Sequence, residues 1–153
     1  MGNSLSSSSK KALIRAKIKP GSIIHIFCDF IRDPKNKFCV IVHADFEEDY
    51  FLFFLVNSEI PPFIQKNETM NRCQLVLKQE DYAFFSKPVS HLNCAELHDE
   101  LDVEFVMDHL LRSPEDYKGM LLDKEIEEII QIVNETKTIG NYDRNLICNS
   151  LGH

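Results

Sequence analysis

Two apolar runs separated by a short acidic stretch dominate the pattern of the chain. Residues 38–44 and 50–56 are apolar at nearly every position, and Asp45-Phe46-Glu47-Glu48-Asp49 lies between them. Val, Ile and Phe suit a pleated, buried surface. The pattern therefore predicts a β-hairpin with a solvated acidic tip. Strands apolar on both faces are covered on both, which puts this hairpin at the centre of a sheet. The chain then turns polar at Asn57-Ser58-Glu59 and reaches Pro61-Pro62, which excludes a central strand there.

Shorter segments flank the hairpin. Pro20-Gly21 predicts a turn, and 22–30 predicts a strand with Ile24, Ile26, Cys28 and Phe30 on one face. A polar loop covers 32–36, a long connection 61–71, a strand 72–77, a helical turn 79–85 and a last strand 89–93. Short, closely spaced strands of this kind predict a small barrel. After residue 95 the period becomes helical. Asp102 is placed to cap a helix over 103–112, and Ser113-Pro114 to open one further turn. The strongest helix covers 123–137, with Ile126, Ile129, Ile130 and Val133 as its stripe. Gly140 is placed to end it, and 141–153 gives no clear pattern. The expected fold class is mainly β with C-terminal helices (α+β). Its core is a bent antiparallel sheet of about five strands closing as a small SH3-like barrel. The expected divisions are an N-terminal arm over 1–19, one barrel domain over 20–139 and a tail over 140–153.

Composition agrees with one globular domain: 153 residues, 44% hydrophobic and 27% charged. No apolar run approaches ~18 residues, so no transmembrane helix is expected. No signal-peptide pattern is visible either. The five cysteines are odd in number and form no CxxC pair, which predicts a reduced, cytoplasmic protein. The net charge is −7, yet residues 10–19 carry five positive charges and no negative one. That segment reads as a short helix or a flexible arm. The acidity elsewhere excludes a large non-specific nucleic-acid surface and leaves room for a small RNA cleft. Residues 1–9 are expected to be disordered. MGNSLS fits the loose myristoylation pattern, which Ser-rich leaders match often by chance.

Candidate chemistry is sparse. His91-x-x-Cys94-x-x-x-His98 has ligand-like spacing, but no fourth ligand stands at a set distance, so it reads as a strand-end His with a core Cys. No metal or other cofactor is expected. There is no Gly-rich phosphate loop and no GxSxG elbow. His43 ends a central strand and is a candidate for contacting substrate or moving a proton.

The order of several segments resembles the MazF/PemK-like toxins, endoribonucleases of type II toxin–antitoxin systems. Pro20-Gly21-Ser22-Ile23-Ile24 is similar to that family's opening strand. Lys37-Phe38-Cys39-Val40-Ile41-Val42 and Leu55-Val56-Asn57-Ser58 sit where its next strands run. Ser90-His91-Leu92-Asn93-Cys94 and Lys118-Gly119-Met120-Leu121 follow in the family's order. The resemblance spans 20–139. It implies an SH3-like barrel, a homodimer, cleavage of single-stranded RNA without metal, and an antitoxin protein whose peptide fills the cleft. The chain departs from the pattern where the family has an Arg at the start of its second strand. Lys37 is the nearest cation and Arg32 lies in the preceding loop. On this reading Arg32, Lys37 and Ser58 are catalytic, and Asn57 and His43 bind substrate. Antiparallel pairing of the hairpin predicts that Arg32, Lys37, Asn57 and Ser58 meet at one edge. The departure keeps a second class open: a non-catalytic barrel that binds a protein or nucleic-acid partner in the same groove.

Overall fold

A computed structural model describes residues 6–152. The myristoylation pattern lies outside them except for Ser6. The elements are α1 (Ser7–Lys17), β1 (Ser22–Cys28), β2 (Lys35–Asp45), β3 (Tyr50–Asn57), α2 (Pro62–Gln65), α3 (Glu68–Asn71), β4 (Gln74–Lys78), β5 (Val89–His98), α4 (Val103–Arg112), β6 (Tyr117–Met120), α5 (Asp123–Glu135) and α6 (Asn141–Leu151). A single 3-10 turn, Pro114–Asp116, joins α4 to β6.

The protein is α+β. Its six-stranded antiparallel sheet runs in the order β4-β5-β3-β2-β1-β6. The sheet curls into a half-barrel, with β4 and β6 as its two edges. The hairpin β2–β3 is central, as its apolar runs require. Its bulge falls at Val42, since Ile41 pairs with Phe53 and His43 with Leu52. An inserted residue of this kind sharpens the local twist. At the tip Asp49 takes a φ of 62°, a left-handed conformation that Asp tolerates better than most residues.

Alternation along the strands divides the core into two layers. Ile23, Val40, Val42, Leu52, Phe54 and Val56 face α5, α6 and the segment around Tyr82 and Phe85. Ile24, Ile26, Ile41, Phe51, Phe53 and Leu55 face α4 and Ile18 at the end of α1. Phe51, Phe53 and Phe54 are fully buried, so the aromatic excess of the hairpin is absorbed within one chain.

The basic segment is helical. Ser6 caps α1 by accepting from Ser9 N at 3.1 Å, so 7–9 belong to a helix rather than to a disordered leader. Three of its four cations are engaged: Lys11 with Glu104 and Asp108 of α4, Arg15 over the Phe46 ring at 5.4 Å and Lys17 over Tyr117 at 4.4 Å. The turn after it depends on Gly21, whose φ of 97° disfavours a side chain.

Other elements depart from expectation, and 141–151, expected as a tail, forms α6 with Ile147 and Leu151 buried. The 61–71 connection contains two short helices. The four residues of β6 carry no alternation, and their strand state comes from pairing with β1. Gly140 stands before α6 at a φ of −70° and does not cap α5. The carbonyls at the end of α5 are met instead by Arg144, which donates to Val133 O at 2.9 Å and Thr136 O at 2.9 Å, and also to Ile139 O in the following loop at 3.1 Å. A cation at a helix C-terminus is also favoured by the helix dipole.

The α5 stripe is centred on Ile129 and Val133, both fully buried, with Ile126 and Ile130 at its margins. Ile129→Val should therefore cost about 1 kcal/mol, and Ile130→Val less, in paired urea denaturation curves. Equal losses would place the stripe differently.

Candidate functional site

The hairpin ends define the site. Cys39 pairs with Leu55, so Lys37 at the start of β2 lies beside Asn57 at the end of β3. Lys37 Nζ donates to Asn57 Oδ1 at 2.6 Å. Arg32, from the loop before β2, lines the same cleft of about 410 Å³. Antiparallel pairing thus brings Arg32, Lys37 and Asn57 together.

Ser58 lies elsewhere. The strand ends at Asn57 and the chain bends at Ser58, and the two residues line different cavities. Ser58 lines a second cavity of about 170 Å³, together with His25, Lys35, Lys37, Ser86 and Ser90 among others. Lys37 and Lys35 line both cavities. His43 joins neither. It lies beyond the cleft along β2, where its Nδ1 shares a 2.6 Å hydrogen bond with Ser150 Oγ on α6, and its ring packs against Tyr50 at 5.7 Å.

The larger cleft has an apolar wall of Phe30, Leu55, Phe63 and Ile64, and a polar side. On that side Asn93 accepts from Gln74 Nε2 at 2.8 Å and donates to Glu96 Oε1 at 3.0 Å. His98 stacks on Phe53 with ring centroids 5.6 Å apart. Lys35 and Glu96 escaped the sequence reading, and Asn93 and His98 entered it only in other patterns, not as cleft residues. Lys35 stands two residues from Lys37 and had a signal. The other three arrive on β5, whose place beside β3 has no sequence signature.

Burial lowers the Lys37 ammonium from its usual range, and the positive charge of Lys35 adds to this. Beneath Lys37, the free thiols of Cys28 and Cys39 lie 3.8 Å apart in the core. Burial pushes the Cys39 thiol well up, whereas the hydrogen bond with Cys39 lowers Cys28. The His91-Cys94-His98 spacing does not gather its residues. His91 pairs with Val76 and Asn57, Cys94 is buried, and His98 Nδ1 lies 3.1 Å from Glu100. Among the described residues, no group of three or more His, Cys, Asp or Glu side chains is placed to hold a metal.

Burial lowers His25, His43 and His91 below the ordinary histidine value of 6.5. The unfolded chain then takes up protons at a higher pH than the folded one, so the folded state loses stability as pH falls below 6.5. Thermal melting should be level across pH 7–8 with respect to these groups, and should fall between about pH 6.5 and 5. A midpoint that rises on acidification through that window would show that these imidazoles are stabilised in the charged form.

No helix of the described residues is long and apolar enough to cross a membrane. No protein-family model, curated protein or solved structure matches the chain.

Proposed function

We propose that the protein is a MazF/PemK-like toxin that cleaves single-stranded RNA and is neutralised by an antitoxin protein occupying the same cleft. The observation that supports this reading is the convergence of Arg32, Lys35 and Lys37 on one cleft, with Lys37 bridged to Asn57 across the hairpin end. A phosphodiester needs such a cation cluster. Arg grips phosphate with a planar fork and Lys with a point charge. In cleavage the ribose 2′-oxygen attacks the adjacent phosphorus, the bond to the 5′-oxygen breaks, and the cations stabilise the extra negative charge of the phosphorane. The apolar wall with Phe30 and Phe63 offers rings on which unpaired bases stack. The overall acidity confines RNA to this cleft and to the smaller cavity that shares Lys35 and Lys37 with it, and three of the four cations of the basic helix are already engaged by the chain's own residues. The proposed setting is the cytoplasm, where both RNA and reduced thiols are found, and the proposed assembly is a homodimer.

A second reading is favoured by one observation. Ser58, in the position of the family's hydroxyl group, opens to the smaller cavity, whereas Arg32 lines the larger. A barrel with its groups divided in this way would bind RNA or a protein segment without cutting. Two measurements separate the readings. Expression of the chain alone is scored for growth arrest, and the purified protein is incubated with end-labelled single-stranded RNA. Growth arrest with RNA fragments ending in 2′,3′-cyclic phosphate is the expected result. Binding without fragments would leave the module reading, and neither binding nor fragments would end both RNA readings.

A further inference from the structure

We propose that His25 is the general base of the reaction, working from the smaller cavity with Asp116 behind it. This rests on the RNA-cleaving reading and deepens it. The sequence gives no hint of the pairing, because His25 lies in β1 and Asp116 in the turn before β6. The two meet because β6 pairs with β1, with Ile24 opposite Tyr117.

The geometry supplies each part that proton removal needs. His25 lines the cavity of about 170 Å³ together with Lys35, Lys37, Ser58, Ser86 and Ser90. That space is a few water volumes, enough for one phosphate group and its immediate oxygens. The His25 ring packs against Phe38 at a tilt of 31° with centroids 4.4 Å apart, which limits rotation. Nδ1 lies 3.8 Å from Asp116 Oδ1. That distance is long for a hydrogen bond, but within the range of the ion pair that forms once the imidazole gains a proton. Asp116 is itself held in place: His109 Nε2 lies 2.8 Å from its Oδ2, and Lys118 Nζ lies 3.9 Å from its Oδ1. A carboxylate behind an imidazole orients the ring and stabilises the cation formed in the transition state.

The groups around His25 set its resting charge. Burial lowers its affinity for a proton, Asp116 opposes this, and Lys118 and His109 add to the lowering. The net direction keeps the imidazole neutral near pH 7, the form a base requires. In the step, His25 takes the proton of the 2′-hydroxyl and the 2′-oxygen bonds to phosphorus. The bond from phosphorus to the 5′-oxygen breaks, and that oxygen takes a proton from the Lys37 ammonium. Proton transfer through solvent from the His25 imidazolium to Lys37 restores both groups. The products are a 2′,3′-cyclic phosphate and a 5′-hydroxyl, with every proton accounted for.

The test uses the full chain, single-turnover cleavage of labelled single-stranded RNA between pH 5 and 9, and fluorescence anisotropy for RNA affinity. His25→Gln should reduce cleavage by a factor of about 10² or more while leaving the RNA Kd within about twofold. The acid limb of the pH profile should vanish from what activity remains. Asp116→Asn should slow the reaction and shift that limb. In His25→Ala, added imidazole should restore part of the rate, which a purely structural role for the ring would not allow. If the parent cleaves RNA and His25→Gln cleaves as fast with the same acid limb, the assignment to His25 is overturned and the RNA-cleaving reading stands. If the parent binds RNA but does not cut it, or does neither, the assignment falls together with the reading beneath it.

Discussion

Tyr82→Phe should cost about 3 kcal/mol or more, a large share of the stability of a domain this size. The hydroxyl of Tyr82 donates to Glu125 Oε1 at 2.6 Å and accepts from Leu122 N at 2.9 Å. Glu125 is only 4% exposed, so its carboxyl group has little access to water once the hydroxyl is removed. Burial is the first cause that holds the Tyr82 proton far above its ordinary range, and Glu125 adds to it, so the hydroxyl stays a donor at every working pH. The same change frees the amide of Leu122, which stands at the start of α5. Glu125→Gln keeps an acceptor and should lose less. Combining Tyr82→Phe with Glu125→Leu should recover most of the loss, because the side-chain pair then leaves no carboxyl group unpaired. Urea denaturation of the parent and the three variants checks this. A loss below about 1 kcal/mol for the single Tyr82 change would show that solvent reaches the carboxyl group.

On the RNA-cleaving reading proposed above, Lys37→Ala should lower cleavage by a factor of about 10² to 10³ with a much smaller effect on stability. Lys37 lines both cavities, so its loss matters wherever the phosphate sits. The hydroxyl of Ser58 borders only the smaller cavity and the guanidinium of Arg32 only the larger. Their separate changes to Ala therefore report the position of the phosphate. A strong effect of Ser58→Ala alone indicates the smaller cavity, and of Arg32→Ala alone the larger. Lys37→Arg keeps the positive charge but does not readily release a proton, so it should restore RNA affinity more than rate. Cleavage by Lys37→Ala at the parent's rate would remove Lys37 from the reaction.

The parts of the fold legible in advance were those with a local cause. The hairpin announced itself because buried strands need continuous apolar runs, and 38–44 and 50–56 have them. The helix at 103–112 and the core of α5 followed from spacing. In contrast, Tyr117-Lys118-Gly119-Met120 has no alternation, and Gly119 at a φ of 111° would argue against a strand. Only its neighbour β1 makes it one. The end of α5 was read from Gly140, but the carbonyls found a distant guanidinium instead. Within the site, Lys37 beside Asn57 followed from antiparallel pairing. Ser58 stands next to Asn57 along the chain, and the bend that follows β3 separates it from the cleft. His43 was placed near the cleft by its strand, yet distance along β2 and the turn of the bulge take it to α6. The pairing of His25 with Asp116 depends on strand order, which a single sequence does not encode locally.

The position of β6 also fixes the order in which the molecule can become complete during synthesis. A chain emerges N-terminus first, so β1 to β5 are available before the residues that finish the site exist. Until 114–120 have been made, β1 has a bare outer edge and His25 has no carboxylate beside it. The packing of α1 on α4 through Lys11, Glu104 and Asp108 waits in the same way. These pairings join distant parts of the chain, and such closures are late and slow. A ribosome-bound fragment ending near residue 100 would thus hold the cations of the cleft without the Asp116 partner, and would gain it only once 114–120 have been made.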